Sequence, residues 1–221
     1  MQEKKIRKYG VADHDHYWIE RASRGRIREK RLHRRLIQLL EQEIQLGGNV
    51  LDCGVGDGHV TNLGREKFEM YGVELSHEAL KMYNFPTDRI IIADLNDGIP
   101  EFEVKFDAVV ASNVLHWLNS PPAFLRQVKG VLKPSGKLIV VIPNITNYHY
   151  RLGFLFGKFP PISPSHKNFQ TPSEAEEMFR DQEYRIDKCL SPKKSVKARL
   201  WPRMFGADII YLLTSAEKKD S

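Results

Sequence analysis

The stretch NVLDCGVGDGHV, Asn49 to Val60, runs from Val50 and Leu51 into the acid Asp52 and then places Gly54, Gly56 and Gly58 at alternate positions. A short apolar run ended by turn residues reads as a buried strand. Three glycines directly after it need a reason, because glycine loses more conformational freedom on folding than any other residue. Without Cβ the backbone adopts positive φ, and a ligand can approach main-chain N–H groups closely. In an open α/β sheet the first strand-to-helix turn lies beyond the carboxyl ends of the strands, where ligands sit. Taken alone, such a loop is also compatible with a tight turn that binds nothing.

Working outward, the chain alternates. Apolar residues at Leu32, Leu36, Leu40 and Ile44, with Ile37 beside them, line one helix face from about Ile27 until Gly47 and Gly48 stop it. Beyond the quoted strand and loop come a short helix near Val60 to Lys67, strand MYGVEL, helix SHEALKMY, strands RIIIADL and FDAVVAS, helix PPAFLRQVKGVL and strand KLIVVIP. Val- and Ile-rich strands interleaved with helical segments predict a parallel sheet covered on both faces, hence an α/β, doubly wound, Rossmann-like fold. The segment after Pro143 is aromatic and broken by Gly153, Gly157, Pro160, Pro161 and Pro164, so residues 144–171 read as a lid or insertion. Thr171, Pro172 and Glu174 form a helix start with a capping box. The late strands YRIDKCL and ADIIYLLTSA complete a mostly parallel, seven-stranded sheet with an antiparallel C-terminal strand.

The totals bound the rest. At 221 residues with 41% apolar content, a single domain over 1–221 is expected. No stretch approaches the roughly 18 to 20 apolar residues of a membrane span, and MQEKKIRKYG lacks an apolar run behind its charges. A cytoplasmic protein with no membrane partner is therefore expected. Cys53 and Cys189 are far apart and form no CxxC pair, so neither a disulfide framework nor a metal site is suggested. The net charge of +6 is concentrated: Arg21 to Leu36 holds eight Arg or Lys against the single acid Glu29. That run is either a solvated helix face or a surface for phosphate, an acidic small substrate or an acidic partner.

Spacing decides between ligands. A dinucleotide fingerprint from Gly54 and Gly56 requires Gly or Ala at position 59, and this chain has His59, which opposes a nicotinamide-cofactor oxidoreductase. The acid-led VLDCGVGDG instead resembles motif I of the class I S-adenosylmethionine-dependent methyltransferases. Glu74, ending YGVEL, stands where that family places the carboxylate that accepts both ribose hydroxyls, with Leu75 beside it. Asp94, in IIIADLND, stands where the family binds the adenine amino group, with the Leu95 N–H toward the ring. FDAVVASNVLHWL and VLKPSGKLIVVIPN resemble the corresponding segments of ubiquinone- and menaquinone-type small-molecule enzymes, and FLFGKFPPISPSHKNFQTPSEAEEMF is faintly similar to MetW-like members.

That resemblance implies S-adenosylmethionine as cofactor, bound by Asp52, Gly54, Gly56, Gly58, Glu74, Leu75, Asp94, Leu95, Ser112 and Asn113. It also implies that the basic helical segment 1–47 covers the cofactor site, with Arg21 or Arg24 as a fork for the methionine carboxylate. His116, just after strand four, is the candidate general base, and a structural histidine is the alternative. Tyr148, His149, Tyr150 and His166 are acceptor-site candidates, and Tyr9, Tyr17 and Trp18 stand close to arginines in the N-terminal segment. The strand-four segment ASNVLHW is not of the [DN]-P-P-[YF] kind used in amino methylation, and neither cysteine is placed to attack a pyrimidine. The expected acceptor is a small molecule, an anionic one being drawn by the basic helix. RNA or protein methylation through that helix is the second reading, and a non-catalytic scaffold of the same fold the third.

Overall fold

The computed structural model describes residues 11–25, 29–82, 88–158, 167–193 and 195–216. Helices α1 (Val11–Ser23) and α2 (Arg31–Glu43) lead into β1 (Asn49–Cys53), α3 (His59–Gly64), β2 (Glu69–Glu74), α4 (His77–Lys81), β3 (Ile90–Ile92) and β4 (Phe106–Ser112). After a tight helical turn at Leu115–Trp117 follow α5 (Pro121–Val131), β5 (Leu132–Pro143), α6 (Tyr148–Leu155), α7 (Pro172–Asp181), β6 (Tyr184–Leu190), α8 (Val196–Leu200), α9 (Pro202–Phe205) and β7 (Asp208–Ser215).

The strands form one seven-stranded sheet in the order β3-β2-β1-β4-β5-β7-β6. Strands β1 to β5 are parallel, and β7 inserts antiparallel between β5 and β6. Alternation along each strand splits the core into two layers. Leu51, Val109, Leu138 and Val140 face α5 and α7 through Phe124, Leu125, Val128 and Phe179. Their neighbours Val50, Ala108, Val110, Ile139 and Val141 face the other way, onto Leu32, Leu36, Leu39 and Leu40 of α2 and Val60 of α3. The order reverses at β1, so the tips of β1, β2 and β4 converge on the crevice where a doubly wound sheet takes its ligand.

Capping fixes several boundaries. The Thr171 hydroxyl accepts from the Glu174 N–H and the Glu174 carboxylate accepts from the Thr171 N–H, which is the capping box that the sequence predicts. Other elements depart from the sequence reading. The basic helical segment 1–47 contains two helices, α1 ending at Ser23 just before Gly25 (φ 61°), and the helix read from about Ile27 begins at Arg31 as α2. The 144–171 segment contains a regular helix, α6, whose first N–H groups at His149 and Tyr150 donate to the Asn147 side chain. The third strand is short, because Asp94 turns the chain by accepting from both the Asn96 backbone and its side-chain amide. Helices α8 and α9 stand where the sequence reading left a connection.

Candidate cofactor and acceptor site

Near the end of strand β1 stands Asp52, which is 1% exposed and whose Oδ2 accepts from the Thr61 hydroxyl at 2.9 Å. The loop then turns back on β2: the N–H groups of Gly54 and Val55 donate to the Val73 carbonyl at 2.8 and 3.2 Å. Gly54 and Gly56 take φ of 75° and 57°. A Cβ on Gly54 would lie 2.5 Å from Val114 Cγ2, and one on Gly56 would lie 2.8 Å from the Trp18 ring. These two positions therefore exclude a side chain by both conformation and space. Gly58 does different work: it is the left-handed N-cap of α3 and is not on the cavity wall. Gly56→Ala is expected to lose about 1 to 3 kcal/mol of stability from the strained φ and the displaced Trp18, measured by denaturant unfolding.

Glu74 ends β2 with 7% exposure and is held by three backbone donors. Its Oε2 accepts from Gly56 N–H at 2.7 Å, and its Oε1 accepts from Leu75 and Ser76 N–H at 2.9 and 2.8 Å. Burial raises its pKa, and the three N–H bonds oppose the shift. The glycine loop and the second acid are thus one hydrogen-bonded unit, and Oε2 retains lone-pair capacity for a hydroxyl. Asp94 is fixed by Asn96, whose own side-chain oxygen accepts from the Asn119 N–H at 2.7 Å.

Around these groups lies a cavity of about 360 Å³. Its wall includes Asp52, Gly54, Gly56, Glu74, Leu75, Asp94, Leu95, Ser112, Asn113 and His116. The sheet tips thereby bring together His116 and the sequence-derived cofactor candidates apart from Gly58 and Arg24. Asn113 takes a positive φ of 59° and donates its N–H to the Val141 carbonyl, which turns the chain off β4 and sets His116 into the wall. The His116 carbonyl accepts from the Lys167 and Asn168 N–H groups, so the far side of the lid segment is tied to this turn.

Helix α1 closes the cavity. Asp15 Oδ1 accepts from the Ser76 hydroxyl at 2.5 Å and from the Glu78 N–H, pinning α1 to the start of α4. The pinned face presents Tyr17, Trp18 and Arg21 to the cavity, with Arg21 donating to the Tyr17 hydroxyl at 3.1 Å and stacking over both rings at 5.4 Å. Tyr17 and His14 pack against Trp117 with centroids 5.5 and 5.2 Å apart. Arg24 is off the wall and pairs with Glu20, so of the two candidate forks only Arg21 lines the cavity. Tyr148, His149 and Tyr150 are on α6 and do not line the cavity. Tyr9 and His166 lie outside the described residues.

The wall also contains residues that the sequence reading missed: His14, Lys30, His33, Asp57, Trp117 and Asp208. Trp117 was visible in NVLHWL, next to His116. Lys30, His33 and Asp208 come from opposite ends of the chain, and no local pattern joins them. Burial lowers His33 to about 4, with Asp57 opposing, so its ring is neutral at neutral pH. Burial raises Asp52 to about 7, and the Glu74 and Asp57 charges add to the effect while the Thr61 bond opposes it. The Cys53 thiol is buried and shifted upward by burial, which removes it as a nucleophile. A ligand suited to these groups carries a diol for Glu74, an amine-bearing heterocycle for Asp94, and an amino-acid end for the arginine side of α1.

Known proteins resemble this chain in sequence and in fold. The profile of a family described as a methyltransferase domain matches residues 24–188. The chain is 30% identical over 148 residues to the mitochondrial ubiquinone biosynthesis O-methyltransferase of Rattus norvegicus, covering 60% of this chain and 43% of that protein. It is 35% identical over 127 residues to the mitochondrial arginine-hydroxylase NDUFAF5 of Danio rerio, covering 52% of this chain and 39% of that one. It thus spans less than half the length of these curated relatives. Among solved structures, an S-adenosylmethionine-dependent methyltransferase of Clostridium acetobutylicum superposes with a TM-score of 0.64 at 15% identity, over 94% of this chain and 100% of that one. The magnesium protoporphyrin IX methyltransferase of Synechocystis, with bound S-adenosylhomocysteine, gives 0.60 at 16%, over 84% and 82%.

Proposed function

Since this chain belongs to the class I S-adenosylmethionine-dependent methyltransferases, we propose that it transfers a methyl group from S-adenosylmethionine to a small-molecule acceptor. The observation that carries the reading is the Glu74 carboxylate, buried at the β2 tip, bonded to the Gly56 N–H and facing the cavity. In this reading Glu74 takes the ribose hydroxyls, Asp94 and the Leu95 N–H take the adenine, and Gly54 and Gly56 let the methionine part lie against the main chain. Arg21 takes the carboxylate of that part. When bound, the cofactor supplies a methyl group already activated by its positive sulfur. What remains for the chain is to bind, exclude water and aim the acceptor. Tyr17, Trp18 and Trp117 offer π faces to a cation and form a dry cover. His116 stands on the wall beside the β4 tip and accepts the acceptor's proton.

Two observations support a small acceptor over a macromolecule. The volume is at the lower end of that of small-molecule sites, and α1 is clamped across it by Asp15. The ubiquinone-biosynthesis relative acts in the same direction. The arginine-hydroxylase relative makes methyl transfer, rather than cofactor binding, the deciding assay. Purified chain incubated with methyl-labelled S-adenosylmethionine is expected to label members of a metabolite panel, and label appearing only in RNA or protein would overturn the small-molecule reading. His116→Gln is expected to lower kcat about a hundredfold for a hydroxyl acceptor while leaving S-adenosylhomocysteine affinity within about twofold. Equal kcat in the variant would remove His116 from the chemistry.

A further inference from the structure

Two stretches of the chain, residues 144–170 and 191–207, contain eight Lys or Arg and no Asp or Glu. The fold brings their described parts together. Tyr148 at the start of α6 packs against Phe205 of α9 with ring centroids 5.1 Å apart and planes inclined at 58°, and the Asn144 side-chain amide donates to the Arg203 and Gly206 carbonyls at 2.7 and 3.0 Å. From this rim large apolar side chains face outward: Leu152, Leu155 and Phe156 at the end of α6, and Val196, Leu200 and Trp201 on α8 and its end are 51% to 78% exposed. Their spacing, i, i+3, i+4 on α6 and i, i+4 on α8, puts each set on one helix face. Arg151, Lys158, Lys193, Lys197 and Arg199 are exposed among them.

We propose that this α6–α8–α9 rim is a peripheral docking face for an anionic lipid bilayer. The apolar residues enter the acyl boundary while the interspersed lysines and arginines keep their charged heads at the phosphates. Charge complementarity commits the occupant. A phosphate backbone would answer the lysines and arginines, and Phe156 and Trp201 offer rings to a nucleotide base, but the four aliphatic side chains Leu152, Leu155, Val196 and Leu200, the larger part of the apolar set, gain nothing from a nucleic acid. An anionic bilayer answers both halves of the surface at once. The absence of a membrane span from the sequence does not bear on this face, since among the described residues no helix is long and apolar enough to cross a membrane and none needs to. Placement gives the face a use: Pro143 and Asp208, paired across β5 and β7, border α6 and α9 and also line the cavity. On the methyl-transfer reading, on which docking itself does not rest, an acceptor held at the bilayer surface is delivered beside the site.

The proposal is independent of the methyl-transfer reading and is tested by flotation of the full chain with vesicles. Vesicles of phosphatidylcholine mixed with phosphatidylglycerol are expected to carry about tenfold or more protein than phosphatidylcholine alone, with the difference falling in high salt. The pair Leu155→Glu and Phe156→Glu, both at exposed positions, is expected to abolish flotation, and Lys197→Glu with Arg199→Glu to weaken it severalfold. Both variants are expected to keep the thermal midpoint and the S-adenosylhomocysteine affinity of the parent, so failure of the docking face and failure of the cofactor site are read separately. Equal flotation on both vesicles, none on either, or flotation that survives the Leu155/Phe156 exchange would overturn the proposal. So would an RNA complex, or a dimer seen by sedimentation, that the same exchange disrupts.

Discussion

Asp52→Asn is expected to stabilise the fold at pH 8 by on the order of 4 kcal/mol and to flatten its stability between pH 4 and 7. Burial first, then the Glu74 and Asp57 charges, raise this carboxyl from 3.8 to about 7. The native chain thus retains a proton that the unfolded chain releases once the pH passes about 4. Across that window the native state binds more protons, so stability falls as pH rises, and the penalty is fully present above about 7. One pKa unit corresponds to about 1.36 kcal/mol, which sets the magnitude. Asparagine keeps an acceptor for the Thr61 hydroxyl and removes the buried charge and its repulsion with Glu74. Urea unfolding of both proteins at pH 4.5 and pH 8 checks it. Curves that stay parallel, with no gain at pH 8, would mean that Asp52 is ionised without penalty and is compensated by contacts other than Thr61.

Glu74→Ala is expected to act on both stability and binding. Its carboxylate accepts from Gly56, Leu75 and Ser76, and removing it strands three donors in a buried place. At about 1 to 3 kcal/mol for each unsatisfied group, the summed loss is on the order of 3 to 9 kcal/mol. The affinity for S-adenosylhomocysteine is expected to fall by a further 1 to 3 kcal/mol, the cost of leaving ribose hydroxyls unpaired. Glu74→Gln preserves the shape and an acceptor but sets an amide N–H against one of the three donors, so it keeps more stability and still loses affinity. Calorimetric titration separates the two variants. Wild-type affinity in Glu74→Gln would place the ribose elsewhere.

The fold was legible where its determinants are local. VLDCGVGDG announces strand, loop and helix within a dozen residues, and the Val- and Ile-rich runs of β4 and β5 are long enough to be buried on both faces. The acids Asp52, Glu74 and Asp94 could be placed because strand tips in a parallel sheet converge by topology. What stayed hidden depends on contacts made over long distances in the chain. The choice between Arg21 and Arg24 rests on the rotational setting of α1, which Asp15 fixes through Ser76, 61 positions away. Trp18 covers Gly56 from the same helix, and no pattern in the N-terminal sequence records that contact. The spacing of Gly58 continues that of Gly54 and Gly56 and so points to the cradle, yet the left-handed cap of α3 is sufficient reason for it. Helix α6 was masked by Gly153 and by the aromatic and proline content that follows, and its start is set by a single side-chain cap at Asn147.

The central claim is that a side-chain-free loop, bonded to a buried acid at the next strand tip, holds an adenosyl sulfur cofactor under α1. Calorimetric titration of the wild-type chain with S-adenosylhomocysteine tests it most directly, with NADH as the comparison ligand. The account predicts one site per chain, a Kd within about 1 μM to 1 mM, and no heat from NADH. A flat titration with S-adenosylhomocysteine from a folded sample, or saturable binding of NADH in its place, would contradict it.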